Sequence, residues 1–134
     1  MEGIHLVLTS GGTGLTEWDV TPEATKSVLE KQCNSIITYI LIESLKITPF
    51  ACLSRAECGV LQNRLVLNLP GKPKAVKENL EIVEKSGVLR SAVSSIVKGQ
   101  GALNISLVFF VTFMSRFIFI IRVNGLLLFF KLFK

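Results

Sequence analysis

The sequence predicts an α/β fold of three layers, in which a largely parallel sheet lies between helices. Two observations support this fold class. The apolar segment 4–8 leads into a glycine-rich loop at residues 11–14, and a helix pattern follows the loop. The apolar segment 64–69 leads in the same way into the loop 70–73 and then into a second helix pattern. Because ligands of such sheets bind outside the carboxyl ends of the strands, both loops are expected at the binding edge.

The first strand and helix follow from local composition. Residues 4–8 are predicted to form a strand buried on both faces, because an unbroken apolar run is typical of a parallel sheet. Thr21 suits the N-cap of the next helix and Pro22 suits its first position, which places the helix at residues 22–32. Its inner face is expected to carry Ala24, Val28 and Leu29.

The segment 35–46 allows two interpretations from its residues alone. Its β-branched side chains favour a strand. Its apolar residues nevertheless recur at the spacing of one helix face, at Ile37, Ile40, Leu41 and Leu45. Pro49 is expected to end this element, and residues 51–60 are expected to be irregular or extended.

The next part of the chain repeats the succession of strand, loop and helix. A turn at residues 62–63 precedes the strand 64–69, and Pro73 begins a helix that Gly87 ends. The inner face of this helix is expected to carry Val76, Leu80 and Val83. A last helix, which two glycines end near residue 100, is expected to turn inward Leu89, Ala92, Val93, Ile96 and Val97.

Length and charge divide the chain into a body, residues 1–100, and a hydrophobic tail, residues 101–134. The 134 residues are enough for one domain. The formal charge is +5, but four basic residues and no acidic one follow residue 102, which leaves +1 for the preceding part. A nearly neutral body argues against nucleic-acid binding, which requires a concentrated basic surface.

Cysteine and histidine usage excludes several kinds of site. Three cysteines without paired spacing do not form a disulfide framework, and one histidine cannot complete a zinc site with them. We expect reduced thiols and a cytoplasmic location, since the N-terminus also lacks the features of a signal peptide. His5 is the only histidine, so no other residue could serve a Ser/His/Asp triad.

The loop at residues 11–14 has the composition of an anion site. Three glycines in four positions allow backbone angles that direct several N–H groups toward one point. A phosphate is the usual occupant of such a loop after a strand. A purely structural turn is the alternative for a GGTG sequence on its own.

The wider sequence resembles the MogA/MoaB family of molybdopterin-binding proteins, which includes the G domain of gephyrin. The longest matching stretch is TSGGTGLTEWDVTPEAT, residues 9–25. It is followed in family order by ESLKITP at residues 43–49, LSR at 53–55 with Gly59, and NLPGKPKAV at 68–76. The resemblance spans residues 4–98 and favours a helix over the segment whose residues left two interpretations open.

The resemblance implies a molybdopterin adenylyltransferase of molybdenum cofactor biosynthesis, which uses ATP and Mg²⁺ and assembles as a trimer. Asp19 would be the catalytic residue and the Mg²⁺ ligand. The phosphate-binding residues would be Ser10, Gly11, Gly12, Thr13 and Gly14. The substrate-binding residues would be Asn68, Pro70, Gly71, Ser54, Arg55 and Glu43, with a solvated helix charge as the equal alternative for Glu43. A solvated basic face is expected at Lys72, Lys74 and Lys77.

The chain departs from this family in two ways. Trp18 stands where the family carries a basic residue, and family members have more chain before the glycine loop. We therefore expect a fold that is incomplete at its N-terminus, of marginal stability and of weak or no activity. The alternative function is a non-catalytic oligomerising or scaffolding module. A MoeA-like or CinA-like enzyme fits the residues after the glycines less well.

The tail allows three interpretations. It could be a membrane anchor, a core segment that replaces missing strands, or translated non-coding sequence. A central Arg116 is costly in a membrane-spanning helix. Its abrupt onset, and residues whose codons are rich in A and T, favour the third interpretation.

Overall fold

A computed structural model describes residues 4–98 and the backbone of residues 108–112. Its strands are β1 (Leu6–Ser10), β2 (Lys31–Gln32), β3 (Cys58–Leu61), β4 (Arg64–Leu69) and β5 (Val108–Thr112). Its α-helices are α1 (Thr21–Val28), α2 (Asn34–Leu45), α3 (Pro73–Lys85) and α4 (Val88–Lys98). A short 3₁₀ helix, Pro49–Leu53, follows α2.

The described strands form one sheet in the order β2-β3-β4-β1-β5. β1 is parallel to β4 on one side and to β5 on the other, whereas β2, β3 and β4 pair antiparallel. The sheet is therefore mixed, with a parallel half beside the predicted loops. The antiparallel half follows from the turn at Gln62 and Asn63, whose φ angles of 45° and 61° suit a two-residue hairpin.

Helices cover both faces of the sheet, which confirms the predicted three-layer α/β fold. Leu65, Leu67 and Leu69 of β4 point to one face and pack in a single cluster with residues of α2, α3 and α4. Asn68 points to the other face, where it contacts α1. Five of the six β4 residues are buried, as expected of a central strand.

The first helix differs from its sequence-based prediction at both ends. It begins at Thr21 itself, whose buried hydroxyl makes no hydrogen bond within the described residues. It ends at Val28, because the next residues leave the helix and the Glu30 amide donates to the Val60 carbonyl at the sheet edge. The predicted inner residues Ala24 and Val28 are exposed, and the buried face consists of Thr21, Pro22 and Thr25.

The other helices follow the predicted pattern except at the end of α2, where Leu45, predicted on the inner face, is exposed. The segment that left two interpretations open is the helix α2, and Ile40 is its buried residue. Pro49 begins the 3₁₀ helix after α2 has already ended. Gly87, with a φ of 72°, separates α3 from α4. The buried residues on these two helices are Val76, Val83, Val93 and Val97. The predicted end of the last helix at Gly99 and Gly101 lies outside the described residues.

One piece of the tail belongs to the sheet. β5 lies beside β1 in parallel register, with Leu6 opposite Val108 and Ser10 opposite Thr112. This position is the one that the core-segment interpretation of the tail predicts. Residues 113–134 lie outside the described part of the chain. Within residues 4–98 and 108–112, no helix has both the length and the apolar character that crossing a membrane requires.

Asn68 joins three parts of the fold with one buried amide. Its Nδ2 donates to Oγ1 of Thr9 on β1 at 2.8 Å and to Oγ1 of Thr25 on α1 at 2.9 Å. Its Oδ1 accepts from the Glu57 amide at 3.0 Å, just before β3. Asn68 is 1% exposed, so loss of its amide would leave three hydrogen-bonding groups without their protein partner.

We predict that Asn68→Ala lowers the free energy of unfolding by about 3 kcal/mol, because one buried and two partly buried hydrogen bonds are lost. Urea unfolding followed by circular dichroism measures the change. Asn34→Ala at the exposed start of α2 is the matched control, and a change within about 0.5 kcal/mol is expected there. An Asn68→Ala variant as stable as this control would contradict the role assigned to the amide.

Candidate active site

The loops that follow β1 and β4, residues 11–14 and 70–73, are called the strand-exit loops, and they meet at one edge of the sheet. The Gly11 amide donates to the Leu69 carbonyl at 3.0 Å, and the Ser10 hydroxyl donates to the Pro70 carbonyl at 2.9 Å. A Cβ added to Gly71 would lie 3.4 Å from the Gly11 Cα. The predicted convergence of the loops is therefore present, with their backbones in direct contact.

A cleft of about 1040 Å³ opens where the loops meet. The first loop and its continuation line it with Gly11, Gly12, Thr13, Gly14, Trp18 and Asp19. The second loop lines it with Asn68, Pro70, Gly71 and Lys72. An opposite wall, mostly apolar, comes from α2 and the 3₁₀ helix, with Ile37, Ile40, Leu41, Phe50, Ala51 and Leu53. The volume is that of a small-molecule or cofactor site.

The glycines of the first loop are required by close contacts. Gly12 has a φ of 67°, and a Cβ there would lie 2.2 Å from Oγ1 of Thr21. A Cβ on Gly14 would lie 2.8 Å from Oδ2 of Asp19. The Gly12 carbonyl also accepts the Thr21 amide at 3.1 Å, which joins the loop to the start of α1. The loop is therefore packed tightly against the helix that follows it.

The amides of this loop are not equivalent. The Gly11 amide is used by Leu69, so its N–H is not available to a ligand, contrary to the expectation from the sequence. No protein acceptor for the amides of Gly12 and Thr13 lies within the described part of the chain. These two N–H groups, beside the start of α1, are the loop donors that an anion in the cleft could use.

Asp19 lies in the cleft as an ionised carboxylate. Its Oδ2 accepts hydrogen bonds from the Thr16 hydroxyl at 2.7 Å and from the Thr16 amide at 2.9 Å. The Thr16 hydroxyl, then the Thr16 and Gly14 amides and the Arg55 charge, lower the pKa of Asp19 below its usual value. The carboxylate is therefore charged at neutral pH and is fixed in position.

Arg55 supports the glycine loop and lies outside the lining of the cleft. Its Nε donates to the Gly14 carbonyl at 2.7 Å, and its other nitrogens donate to the Glu23 carboxylate and the Asp19 carbonyl. Its amide donates to the Thr13 carbonyl at 2.9 Å. The sequence suggested a phosphate contact for this guanidinium. In the structure, the guanidinium instead donates to two backbone carbonyls of the loop segment and to the Glu23 carboxylate of α1.

The other expected site residues fall into two groups. Thr13 and Ser54 line the cleft, as do Asn68, Pro70 and Gly71 of the second strand and its loop. Ser10 is buried with its hydroxyl donated to the Pro70 carbonyl, so it connects the loops.

Glu43 lies outside the lining of the cleft, a position that fits a helix surface charge rather than a substrate-binding residue. It pairs with Nζ of Lys46 at 2.6 Å and borders a separate shallow groove. Leu41 and Ser44, on the same helix, line the cleft. Since each helix residue advances about 100° around the axis, Glu43 points away from the face that they share.

Among the cleft-lining residues that sequence reasoning did not assign to the site, Lys72, Trp18 and Phe50 offer a charge or a large aromatic ring. Lys72 follows Gly71 directly and lies in the cleft, whereas the sequence suggested a solvated face for it. Trp18 is 82% exposed and Phe50 is 76% exposed, and both line the cleft. The position of Lys72 next to a predicted binding loop was a usable signal. Nothing in the local sequence placed Phe50 opposite the glycine loop.

The Asp19 carboxylate in the cleft fits a Mg²⁺ ion that also binds phosphate oxygens. Residues 4–98 contain no group of three or more His, Cys, Asp or Glu side chains that could hold a metal by themselves. Mg²⁺ commonly binds one or two carboxylates and completes its shell with water and substrate phosphate. Asp19 supplies one such carboxylate in the cleft.

We predict that Arg55→Lys loosens residues 11–19 in the absence of any ligand. Lysine keeps the charge but cannot reproduce the planar set of donors that holds two loop carbonyls and one acid. Hydrogen exchange of the loop amides is expected to accelerate about tenfold, with Arg90→Lys on the exposed face of α4 as control. If ligand-free exchange stays unchanged and only phosphate affinity falls, Arg55 acts on the ligand and the assignment is wrong.

Comparisons with known proteins agree with this fold. Residues 1–89 match the family model described as a probable molybdopterin binding domain. The molybdenum cofactor synthesis protein cinnamon of Drosophila melanogaster is 50% identical over 95 residues, which are 71% of this chain and 16% of that protein. The molybdopterin adenylyltransferase of Haemophilus influenzae is 44% identical over 98 residues, 72% of this chain and 50% of that enzyme.

Solved structures agree as well. The molybdopterin biosynthesis enzyme MoaB of Thermus thermophilus aligns with a TM-score of 0.64 at 44% identity, covering 71% of this chain and 58% of that one. The Mog protein of Mycobacterium ulcerans aligns with a TM-score of 0.64 at 37% identity, covering 69% and 59%. The chain thus spans half or less of the curated relatives named above. Since the family model matches most of its length, the chain belongs to the molybdopterin-binding domain family of molybdenum cofactor biosynthesis.

Proposed function

We propose that the cleft binds molybdopterin and ATP and positions them for adenylyl transfer, with pyrophosphate as the second product. The observation that supports this most is the contact between the two strand-exit loops, which gives one site for two phosphate-bearing ligands. The names of the relatives supply the reaction: a molybdopterin adenylyltransferase is among them. The proposal also includes the cytoplasmic location expected from the sequence.

The reaction asks the protein for position and charge more than for covalent chemistry. A phosphate oxygen of molybdopterin attacks the α-phosphorus of ATP, a new P–O bond forms, and the bond to pyrophosphate breaks. The amides of Gly12 and Thr13 would bind phosphate oxygens, and Lys72 would add a positive charge at the same edge. The mostly apolar wall of the cleft would bind a ring system and exclude water.

Asp19 is the residue proposed to hold Mg²⁺ together with the phosphates. When bound, the ion would neutralise negative charge on the phosphates of ATP during transfer of the adenylyl group. The Thr16 hydrogen bonds keep the carboxylate ionised and oriented for this role. Arg55 contributes indirectly, because it holds the backbone on both sides of the carboxylate.

An oligomerising or scaffolding module is the second candidate function. The observation that favours it is a set of exposed apolar side chains on α2 and just beyond it, Ile42, Leu45 and Ile47. Exposed apolar surface of this kind marks contact sites between proteins. A trimer that binds neither ATP nor molybdopterin would favour this function over adenylyl transfer.

We predict that any adenylylated molybdopterin that the purified chain forms from molybdopterin and Mg-ATP forms slowly, as the sequence suggests, and that removal of Mg²⁺ by a chelator stops the reaction. Asp19→Asn is expected to lower product formation by at least about tenfold, because the charge of the carboxylate is lost while an oxygen remains to accept from Thr16. Glu17→Gln, an exposed acid in the same loop and outside the cleft, is the matched control. Chromatographic detection of the product measures both. Equal activity of Asp19→Asn and Glu17→Gln would contradict the role of Asp19.

We predict that Gly12→Ala abolishes tight binding of Mg-ATP, because its Cβ would collide with Thr21 and displace the loop. Gly87→Ala is the matched control: Gly87 also has a positive φ, but a Cβ there meets nothing within 4 Å. Both variants carry the backbone cost of about 1 kcal/mol, and only Gly12→Ala adds the collision. Calorimetry measures affinity and thermal unfolding measures stability. Equal loss of ATP affinity in both variants would show that the collision is irrelevant.

A further inference from the structure

The cleft contains two large aromatic side chains that folding leaves in solvent. Trp18 is the only tryptophan of the chain, and Phe50 is the only phenylalanine before residue 106. Both line the cleft, with 82% and 76% of their surface exposed. A side chain of this size usually contributes to the core, so exposure of both at one opening points to a contact with something that enters the cleft.

Local structure fixes both aromatic residues on short rigid segments. Trp18 lies in a tight turn, in which the Asp19 amide donates to the Thr16 carbonyl at 3.0 Å and the Val20 amide donates to the Trp18 carbonyl at 3.1 Å. Arg55 holds the next carbonyl of the same segment, that of Asp19. The ring is therefore presented from an ordered backbone, which reduces the entropy lost when a ligand binds.

Phe50 is presented from the opposite wall. Pro49 begins the 3₁₀ helix that carries it, and the Phe50 amide faces Oγ1 of the capping Thr48 at 3.4 Å. The two aromatic residues thus come from different elements, one after the glycine loop and one after α2. Both line the same cleft as Gly12 and Thr13.

We propose that Trp18 and Phe50, together called the aromatic rim, bind the planar nitrogen heterocycle of a ligand by stacking, while the glycine loop binds its phosphates. This inference rests on the proposed function, whose two ligands each join such a ring, a pterin or a purine, to phosphate. Stacking suits either ring, because every heterocycle of this kind has a π-face. The rim would thereby contribute affinity for the ring part that the phosphate contacts cannot supply.

Probes that contain only one part of the ligand test the proposal. A hydroxymethylpterin and adenosine carry a ring without phosphate, and pyrophosphate carries phosphate without a ring. In the wild-type protein, the ring that uses the rim is expected to quench the fluorescence of the single tryptophan. Calorimetry on both ring probes gives their dissociation constants and shows whether the aromatic rim binds the pterin or the purine more tightly.

Variants of the rim are expected to separate ring binding from phosphate binding. Trp18→Ala and Phe50→Ala should each weaken ring binding about tenfold, as loss of one stacking partner does, and should leave pyrophosphate affinity unchanged. Trp18→Phe should restore most of the ring affinity. Leu15→Ala is the matched control, because Leu15 is 67% exposed on the same loop and lies outside the lining of the cleft.

Three results would overturn the proposal. They are the absence of binding of both ring probes to the wild-type protein, equal ring affinity of wild type and Trp18→Ala, or a change of oligomer mass as the only effect of the rim variants. The last result would assign these residues to a protein contact. If the adenylyl-transfer assay fails while ring binding is intact, only the proposed reaction is refuted. If turnover is normal and ring affinity is unchanged in both Trp18→Ala and Phe50→Ala, only the proposed role of the aromatic rim is refuted.

Discussion

The site depends on one constraint, the parallel pairing of β1 with β4 in a register that places Ser10 beside Leu69. Because both strands run in the same direction, the chain leaves them at the same edge of the sheet. The Gly11 amide then continues the ladder to the Leu69 carbonyl, and the Ser10 hydroxyl closes the contact to Pro70. A shift of this register by one residue would reverse the faces of the strand and separate the loops.

Two residues that the sequence analysis predicted to bind substrate, Asn68 and Arg55, stabilise this arrangement of the loops. Asn68 uses both of its amide hydrogens and its oxygen on the protein, and Arg55 uses its guanidinium on Gly14, Asp19 and Glu23. A buried hydrogen-bonding group is costly to leave without a partner, so such residues are needed for the fold before any ligand binds. Asn68 and Arg55 are therefore not proposed to touch the ligand, and the proposed phosphate contacts include the backbone amides of Gly12 and Thr13.

Much of the fold was predictable from the sequence, because apolar periodicity and turn residues act locally. The strand 64–69 and the helix begun by Pro73 are present with the expected bounds. The long-range choices were not predictable in the same way. The direction of β3 depends on the left-handed turn at Gln62. The first helix ends early because the amide of Glu30 donates to the Val60 carbonyl at the sheet edge. Glu43 points away from the cleft because of its position around the axis of α2. The place of Phe50 required the tertiary structure.

We propose that the two strand-exit loops bind phosphate together at one site. Titration of isotope-labelled protein with magnesium pyrophosphate, followed by the amide signals of the glycines in an NMR spectrum, measures this directly. We expect the signals of Gly12 and Gly71 to shift along a single binding curve, while that of Gly87 between α3 and α4 stays in place. A shift of Gly12 without Gly71, or two curves with different dissociation constants, would contradict a shared site.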